Sequence, residues 1–307
     1  MATQYTSNTL AGLYKDDFDP NDHYHQILFN SGRPLQAREL TQLQTMIYEE
    51  MGRFGKNIFK EGAVVNPGGS AIDGSVDWVT IVSVNSGGQF EDIPVDTILE
   101  NAGTGVRAKV IDVKPYDGDQ FIYNTLYIQY IDSGNATISD SPTTFGDAQI
   151  LTGGGYNLTT YSEKSVGKAV RFVTNEGDFF VLGRFVRTGE QSFYLTPYST
   201  PANAIVGFKV IQDVVTVNDT DQLYDNSGTT LNYASPGADR YRIRLELTTQ
   251  DRITSNDTFV FLARVENSKI VEEVKPSEAY NEIEDLLALR TKEESGNYIV
   301  TPFTVHV

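Results

Sequence analysis

Tyr241-Arg242-Ile243-Arg244-Leu245-Glu246-Leu247 alternates polar and apolar side chains without a break. Successive side chains of a strand point to opposite faces, so this stretch predicts a strand with one wet face and one packed face. Trp78-Val79-Thr80-Ile81-Val82-Ser83-Val84, after the Pro67-Gly68-Gly69 turn signal, reads as a second strand. The same reading extends over 106–113, 121–131, 168–174, 179–186, 192–196, 205–217, 258–266 and 268–274. Abundant Gly, Ser, Thr, Asn and Asp supply the intervening turns. The fold class expected is mainly β with two α-helices (α+β), built as multi-strand β-sandwich or barrel-like domains with a small inserted β-domain.

Period two gives way to helical spacing in two places. Leu40, Leu43, Ile47, Met51 and Phe54 recur every three or four residues and make one apolar stripe, with Gln36, Arg38, Glu39, Gln42, Glu49 and Glu50 on other faces. Pro34 stands near the predicted start, and Gly52 and Gly55 weaken the predicted last turn. A second helix is expected over 277–290, capped by Ser277 and carrying Tyr280, Ile283, Leu286, Leu287 and Arg290 at helical spacing. An apolar strand over 298–307 follows, and because terminal strands usually pair with something, the chain is expected to continue past Val307.

The organisation expected is an extended N-terminal arm (1–33), a main helix-plus-β domain (34–83 and 158–307) and a small inserted β-domain (84–157). The arm is polar and turn-rich, with aromatic anchors at Tyr14, Phe18, Tyr24 and Phe29. It lacks the apolar periodicity to build a core and is expected to lie across its own chain or a neighbour. Ser86-Gly87-Gly88 and Gly153-Gly154-Gly155 bound the insertion, and no fixed-period repeat points to a solenoid.

A net charge of −17, from 41 acidic against 24 basic residues, disfavours nucleic acid and anionic membranes as partners. It fits a soluble subunit that touches other proteins. Absence of cysteine excludes disulfides, thiol catalysis and Cys-ligated zinc. No apolar run approaches the roughly 20 residues that span a bilayer, and the Met1-Ala2-Thr3-Gln4-Tyr5 start lacks a secretion signal. Synthesis in a cytoplasm is therefore expected, where the sequons at Asn135, Asn157, Asn218 and Asn256 carry no glycosylation message.

Candidate chemistry is sparse. Asp16-Asp17-Phe18-Asp19-Pro20-Asn21-Asp22-His23-Tyr24-His25 gathers carboxylates and two imidazoles that could hold a divalent ion, but without a ligand motif; the plainer reading is a solvated turn with Asx caps and buried aromatics. Asn218-Asp219-Thr220-Asp221, with Asp225, Asn226 and Gly228, resembles a calcium loop only loosely and reads better as a turn. Gly103-Thr104-Gly105 and Gly153-Gly154-Gly155-Tyr156 lack the Gly-Lys-Ser/Thr ending of a phosphate loop. No nucleophile elbow occurs, His306 reads as structural, and no carboxylate pair is singled out for glycoside cleavage. Trp78, Tyr194 and Tyr198 could form a sugar platform, although core packing is the commoner role. No cofactor, no metal and no catalytic residue is expected.

Two stretches carry a family resemblance. One runs from Phe18-Asp19-Pro20 through Tyr24 and Leu28-Phe29 to Gly32-Arg33-Pro34-Leu35-Gln36-Ala37-Arg38-Glu39-Leu40-Thr41-Gln42-Leu43-Gln44; the other joins Leu223-Tyr224-Asp225-Asn226 to Asn232-Tyr233-Ala234-Ser235-Pro236-Gly237-Ala238-Asp239-Arg240-Tyr241. Phe179-Phe180-Val181-Leu182-Gly183-Arg184-Phe185-Val186 and Ser295-Gly296-Asn297-Tyr298-Ile299-Val300-Thr301-Pro302-Phe303 add to it. The chain resembles an uncharacterised-domain family of structural proteins from the tail fibres and baseplates of contractile-tailed phages, over nearly all its length except 84–157. The resemblance implies a non-enzymatic virion protein at a tail-fibre base or baseplate. Other tail proteins would be its partners, and homotrimers would be the first expectation for self-association. Phe18, Tyr24, Phe29, Arg33 and Arg38 are the expected assembly interface, the arginines through bidentate pairs with carboxylates. The alternatives are a receptor-recognition module binding host-surface carbohydrate, a glycan-trimming enzyme, and a part of a phage-derived injection machine.

Overall fold

The computed structural model describes residues 14–66, 68–133, 144–226, 228, 233–255, 257–274 and 278–295. The chain is mainly β, with two helices, α1 (Ala37–Lys56) and α2 (Glu278–Ser295). The strands in chain order are β1 (Val64–Asn66), β2 (Ser70–Ser86), β3 (Ile98–Glu100), β4 (Val106–Lys114), β5 (Asn124–Ser133), β6 (Ile150–Gly153), β7 (Tyr156–Thr160) and β8 (Val166–Thr174). They continue as β9 (Gly177–Val181), β10 (Arg184–Thr188), β11 (Gln191–Thr196), β12 (Ala204–Val215), β13 (Arg240–Thr249), β14 (Thr258–Glu266) and β15 (Lys269–Glu273).

β2 organises the molecule. Along one edge it pairs first with β8, up to Val79↔Val166, and then with β7, from Ile81↔Thr160 onward. Its other edge pairs with β5 around Val79↔Leu126. Since β5, β4, β3, β6 and β7 are neighbours in that order, the pairing of β7 with β2 closes a six-membered ring. Closure removes the open edges of a sheet. Alternation sends Val79, Ile81, Val110, Leu126, Ile128 and Leu158 into the closed interior, where all are buried. Each such side chain contributes about 1.5–3 kcal/mol before the entropy of ordering is counted. Gly153 lets two backbones meet, because a Cβ there would be 1.9 Å from the Ile98 carbonyl oxygen.

The second body is a sandwich. The antiparallel sheet ordered β13-β12-β14-β15 faces the three-stranded sheet β1-β9-β10 and part of β8. Phe172, Phe179, Phe208, Leu247, Val260 and Leu262 fill the space between, with the Phe179 and Phe208 rings 4.9 Å apart at 68°. β13 shows the predicted alternation, exposing Arg240, Arg242, Arg244 and Glu246 while burying Leu245 and Leu247. The single strand expected over 179–186 is instead the hairpin β9–β10. It turns at Leu182-Gly183, both at positive φ (53° and 72°), with Val181 paired to Arg184. Leu is an unusual residue for that turn, which hides it in the sequence. The short strands β1, β3, β6 and β7 fall outside the stretches read from alternation, being too brief for a period of two to register.

An aromatic cluster joins the two bodies. Trp78 and Tyr127 point out of the barrel wall, opposite to their inward neighbours, and meet Tyr194 of β11. Tyr127 and Tyr194 stack at 3.7 Å and 11°, and the Tyr194 hydroxyl donates to Asp112 Oδ2 at 3.0 Å. Tyr198 stands edge-on to Trp78 at 5.3 Å. The three residues offered as a sugar platform thus sit in packed contacts, with Trp78 buried and Tyr194 fully so.

α1 begins later than Pro34 suggests, at a capping box in which the Gln36 N–H donates to Glu39 Oε2 at 3.0 Å. Its buried face is Thr45, Met46, Glu49, Gly52 and Gly55, opposite the apolar stripe read from the spacing. Gly52 abuts Gly183 and Gly55 abuts Phe180, so the helix lies close on the β9–β10 turn. On α2, side chains 286–294 are exposed. The expected Ser277 cap and the strand over 298–307 lie outside the described residues.

Candidate interaction surface

The arm is fastened to the body at its near end. The Tyr14 hydroxyl donates to Asp239 Oδ2 at 2.7 Å, and that bond pushes the phenol up to about 12. Asp16 is buried, accepting from Thr45 Oγ1 at 2.5 Å and from the Phe18 N–H at 3.3 Å. Phe18 is buried beside it, and Arg38 Nη1 donates to Asp17 Oδ2 at 2.9 Å. Asp19 then caps a short 3-10 turn over Pro20–Asp22, and His23 adopts the left-handed conformation.

Beyond His23 the arm's apolar side chains face solvent. Tyr24, Leu28, Phe29 and Leu35 are all exposed, Leu28 by 75 %. Gly32, at φ 84°, turns the chain toward α1. The helix continues the same surface: Leu40, Ile47, Met51 and Phe54 are 44, 52, 55 and 71 % exposed. The stripe predicted from periodicity therefore exists, but it faces outward. Arm and helix thus each present a run of large apolar side chains to solvent, as α2 does with Leu286, Leu287 and Leu289. Single exposed apolar residues are ordinary, whereas several along one element make a candidate interaction surface.

Of the expected interface residues, Tyr24, Phe29 and Arg33 are exposed, whereas Phe18 anchors the arm internally and Arg38 pairs within the chain. The stripe residues Leu40, Ile47, Met51 and Phe54 of α1 are exposed as well, and the body covers the opposite face of the helix. The pointer was Gly52 and Gly55 at i, i+3, with Thr45 and Glu49: a small and polar face suited to close backbone approach.

The other candidates resolve into local structure. Asp219 Oδ2 accepts from the Thr216 N–H and Oγ1, both at 2.8 Å, which holds its carboxyl below the usual range. Asn101 Oδ1 accepts from the Gly103 and Thr104 N–H groups at 2.9 Å. Gly154 and Gly155, both at positive φ, turn the β6–β7 hairpin. Among the described residues no group of three or more His, Asp or Glu could hold a metal ion, and no helix is long and apolar enough to cross a membrane.

The sequence model of a family described as "Domain of unknown function (DUF4815)" matches residues 12–113 and 134–307. The match spans the arm, α1, the sandwich and most barrel strands, and leaves out β5. No curated protein and no solved structure matches the chain.

Proposed function

The chain belongs to the DUF4815 family, and we propose that it is a structural protein of a contractile-tailed phage virion, from a tail-fibre base or baseplate. It works by self-association and by docking to other tail proteins, and it catalyses no reaction. The observation that carries this reading is the outward exposure of the apolar side chains Tyr24, Leu28, Phe29, Leu40, Ile47 and Phe54. Burying them on a neighbour releases water from apolar surface, at about 25 cal/mol per Å². An enzyme acting alone has no use for it. The acidic exterior supports protein partners over nucleic acid. The stretches around Gly32-Arg33-Pro34 and Leu223-Tyr224 supply the phage-tail resemblance.

The test is to raise antibody against the purified chain and probe tails purified from the phage that encodes it. The chain is expected in intact tails at a fixed ratio to other tail proteins. Its absence from purified particles removes the proposal.

A further inference from the structure

The outward face of α1 has an internal symmetry. Leu43 and Met51 lie four residues to either side of Ile47, and Leu40 and Phe54 lie seven to either side. A twofold axis at Ile47 therefore sets Ile47 against itself and Leu40 against Phe54, with Met51 and the half-buried Leu43 on opposite flanks of the contact. We infer that α1 pairs antiparallel with α1 of a second copy of this chain, through an isologous contact centred on Ile47. This pairing rests on the assembly role proposed above for the same surface.

Charge selects the antiparallel direction. Glu50, exposed, follows Ile47 by three residues and precedes Phe54 by four, so it borders the seam. In a parallel pair, or in the threefold bundle that the resemblance implies, each Glu50 would meet its own copies across the contact. In the antiparallel pair the axis sets the two Glu50 residues about 9 Å apart along the helices, so they do not face each other. Glu39 and Arg53 each stand one residue before Leu40 and Phe54, on the same flank of the stripe. Because Phe54 of one copy meets Leu40 of the other, Arg53, whose Nε donates to Glu49 of its own helix at 3.1 Å, comes near Glu39, and the twofold axis repeats that opposite-charge approach. The inner face of α1, lying on Gly183 and Phe180, is already occupied. Only the outer face remains for a partner helix.

The chain has no cysteine, so every introduced thiol is unique. Three variants of the full chain are compared with a short bismaleimide: Ile47→Cys, Leu40→Cys, and Leu40→Cys with Phe54→Cys. Covalent dimers are expected from the first and third. Leu40→Cys alone should give none, because its two thiols would lie about 21 Å apart along the paired helices. Sedimentation of Ile47→Glu should show a dimer weakened by roughly 30-fold or more, the scale of a lost central contact, with an unchanged circular dichroism melt. Cross-linking of Leu40→Cys alone would overturn the antiparallel pairing in favour of a parallel bundle. A wild-type chain that sediments as a monomer at tens of micromolar would overturn pairing altogether. The tail reading is judged apart from both: a monomer still found in purified tails leaves it standing, and one missing from them does not.

Discussion

Gly55 of α1 lies against the ring of Phe180: a Cβ built at Gly55 would be 2.6 Å from Cε2 and 2.8 Å from Cζ. Phe180 is itself fully buried, so its ring has nowhere to go. One turn earlier, a Cβ on Gly52 would be 3.4 Å from the Gly183 carbonyl oxygen. The helix is thus seated by its glycines, which frees its large apolar side chains to face away from the body.

Gly55→Val should therefore destabilise the chain. Helix propensity favours replacing glycine by less than about 1 kcal/mol, whereas overpacking a filled site costs about 1–3 kcal/mol. The net loss, about 1–2 kcal/mol, should appear as a lower denaturant midpoint. Gly189→Ala, with nothing within 4 Å of the new Cβ, should stay within about 0.5 kcal/mol of wild type. Equal midpoints for the two variants would contradict this seating of α1.

The side-chain amide of Gln191 ties β11 to β13. Its Nε2 donates to the Leu245 carbonyl oxygen and its Oε1 accepts from the Leu247 N–H, each at 2.8 Å. It acts as one rung of an extra strand on an otherwise open edge. Gln191→Leu keeps the bulk and strands a backbone N–H and C=O, so a loss of about 1–3 kcal/mol is expected. Hydrogen exchange of the Leu247 amide should accelerate. An unchanged exchange rate there would show that the edge is held by something else.

Burial pushes the phenols of Tyr127 and Tyr194 far above the ordinary value of 10, and the nearby Asp112 carboxylate adds to the effect at Tyr194. A raised folded pKa means stability that is complete below the ordinary pKa and is lost as pH rises through the folded one. Phenolate absorbance of these two rings should thus stay absent above pH 10 and appear only when the structure opens. Gradual titration of every tyrosine near pH 10 in the folded chain would refute the packed cluster.

Asp213 accepts two bonds from Arg242 (2.9 and 2.8 Å) and one from Arg244 (3.1 Å). The Arg242 guanidinium first, and Arg244 after it, hold its carboxyl below the ordinary 3.8. A depressed folded pKa gives stability that is present above the ordinary pKa and disappears as pH falls through the folded value. The groups are partly exposed, so solvent screening keeps the contribution at or below about 1 kcal/mol. Asp213→Asn should lower the melting temperature at pH 6, and the gap from wild type should close as pH drops below 3.8. A gap independent of pH would assign the loss to packing.

Much of the fold was legible locally. The strands of 78–84, 106–113 and 241–249 showed themselves by period two, and α1 by spacings of three and four. Barrel closure was not, because it depends on Ile81 finding Thr160 across a long stretch of chain. The hairpin at Leu182-Gly183 was hidden by a bulky residue in a turn that favours Asn or Gly. At the interaction surface, periodicity revealed an apolar stripe but not which side of the helix the body would cover. That was decided by two glycines, whose lack of a side chain reads in sequence as weakness instead of as a contact.

β2 is one strand that pairs with β8 along its first half and forms part of the barrel wall along its second, with irregularities at Asp73/Val76 and beyond Ile81. Among the described residues the barrel is thus joined to its neighbour through a continuous strand. Tension drawn along this strand loads many of its bonds in shear at once, so a pull on the barrel is transmitted to the rest of the protein as through a single rod.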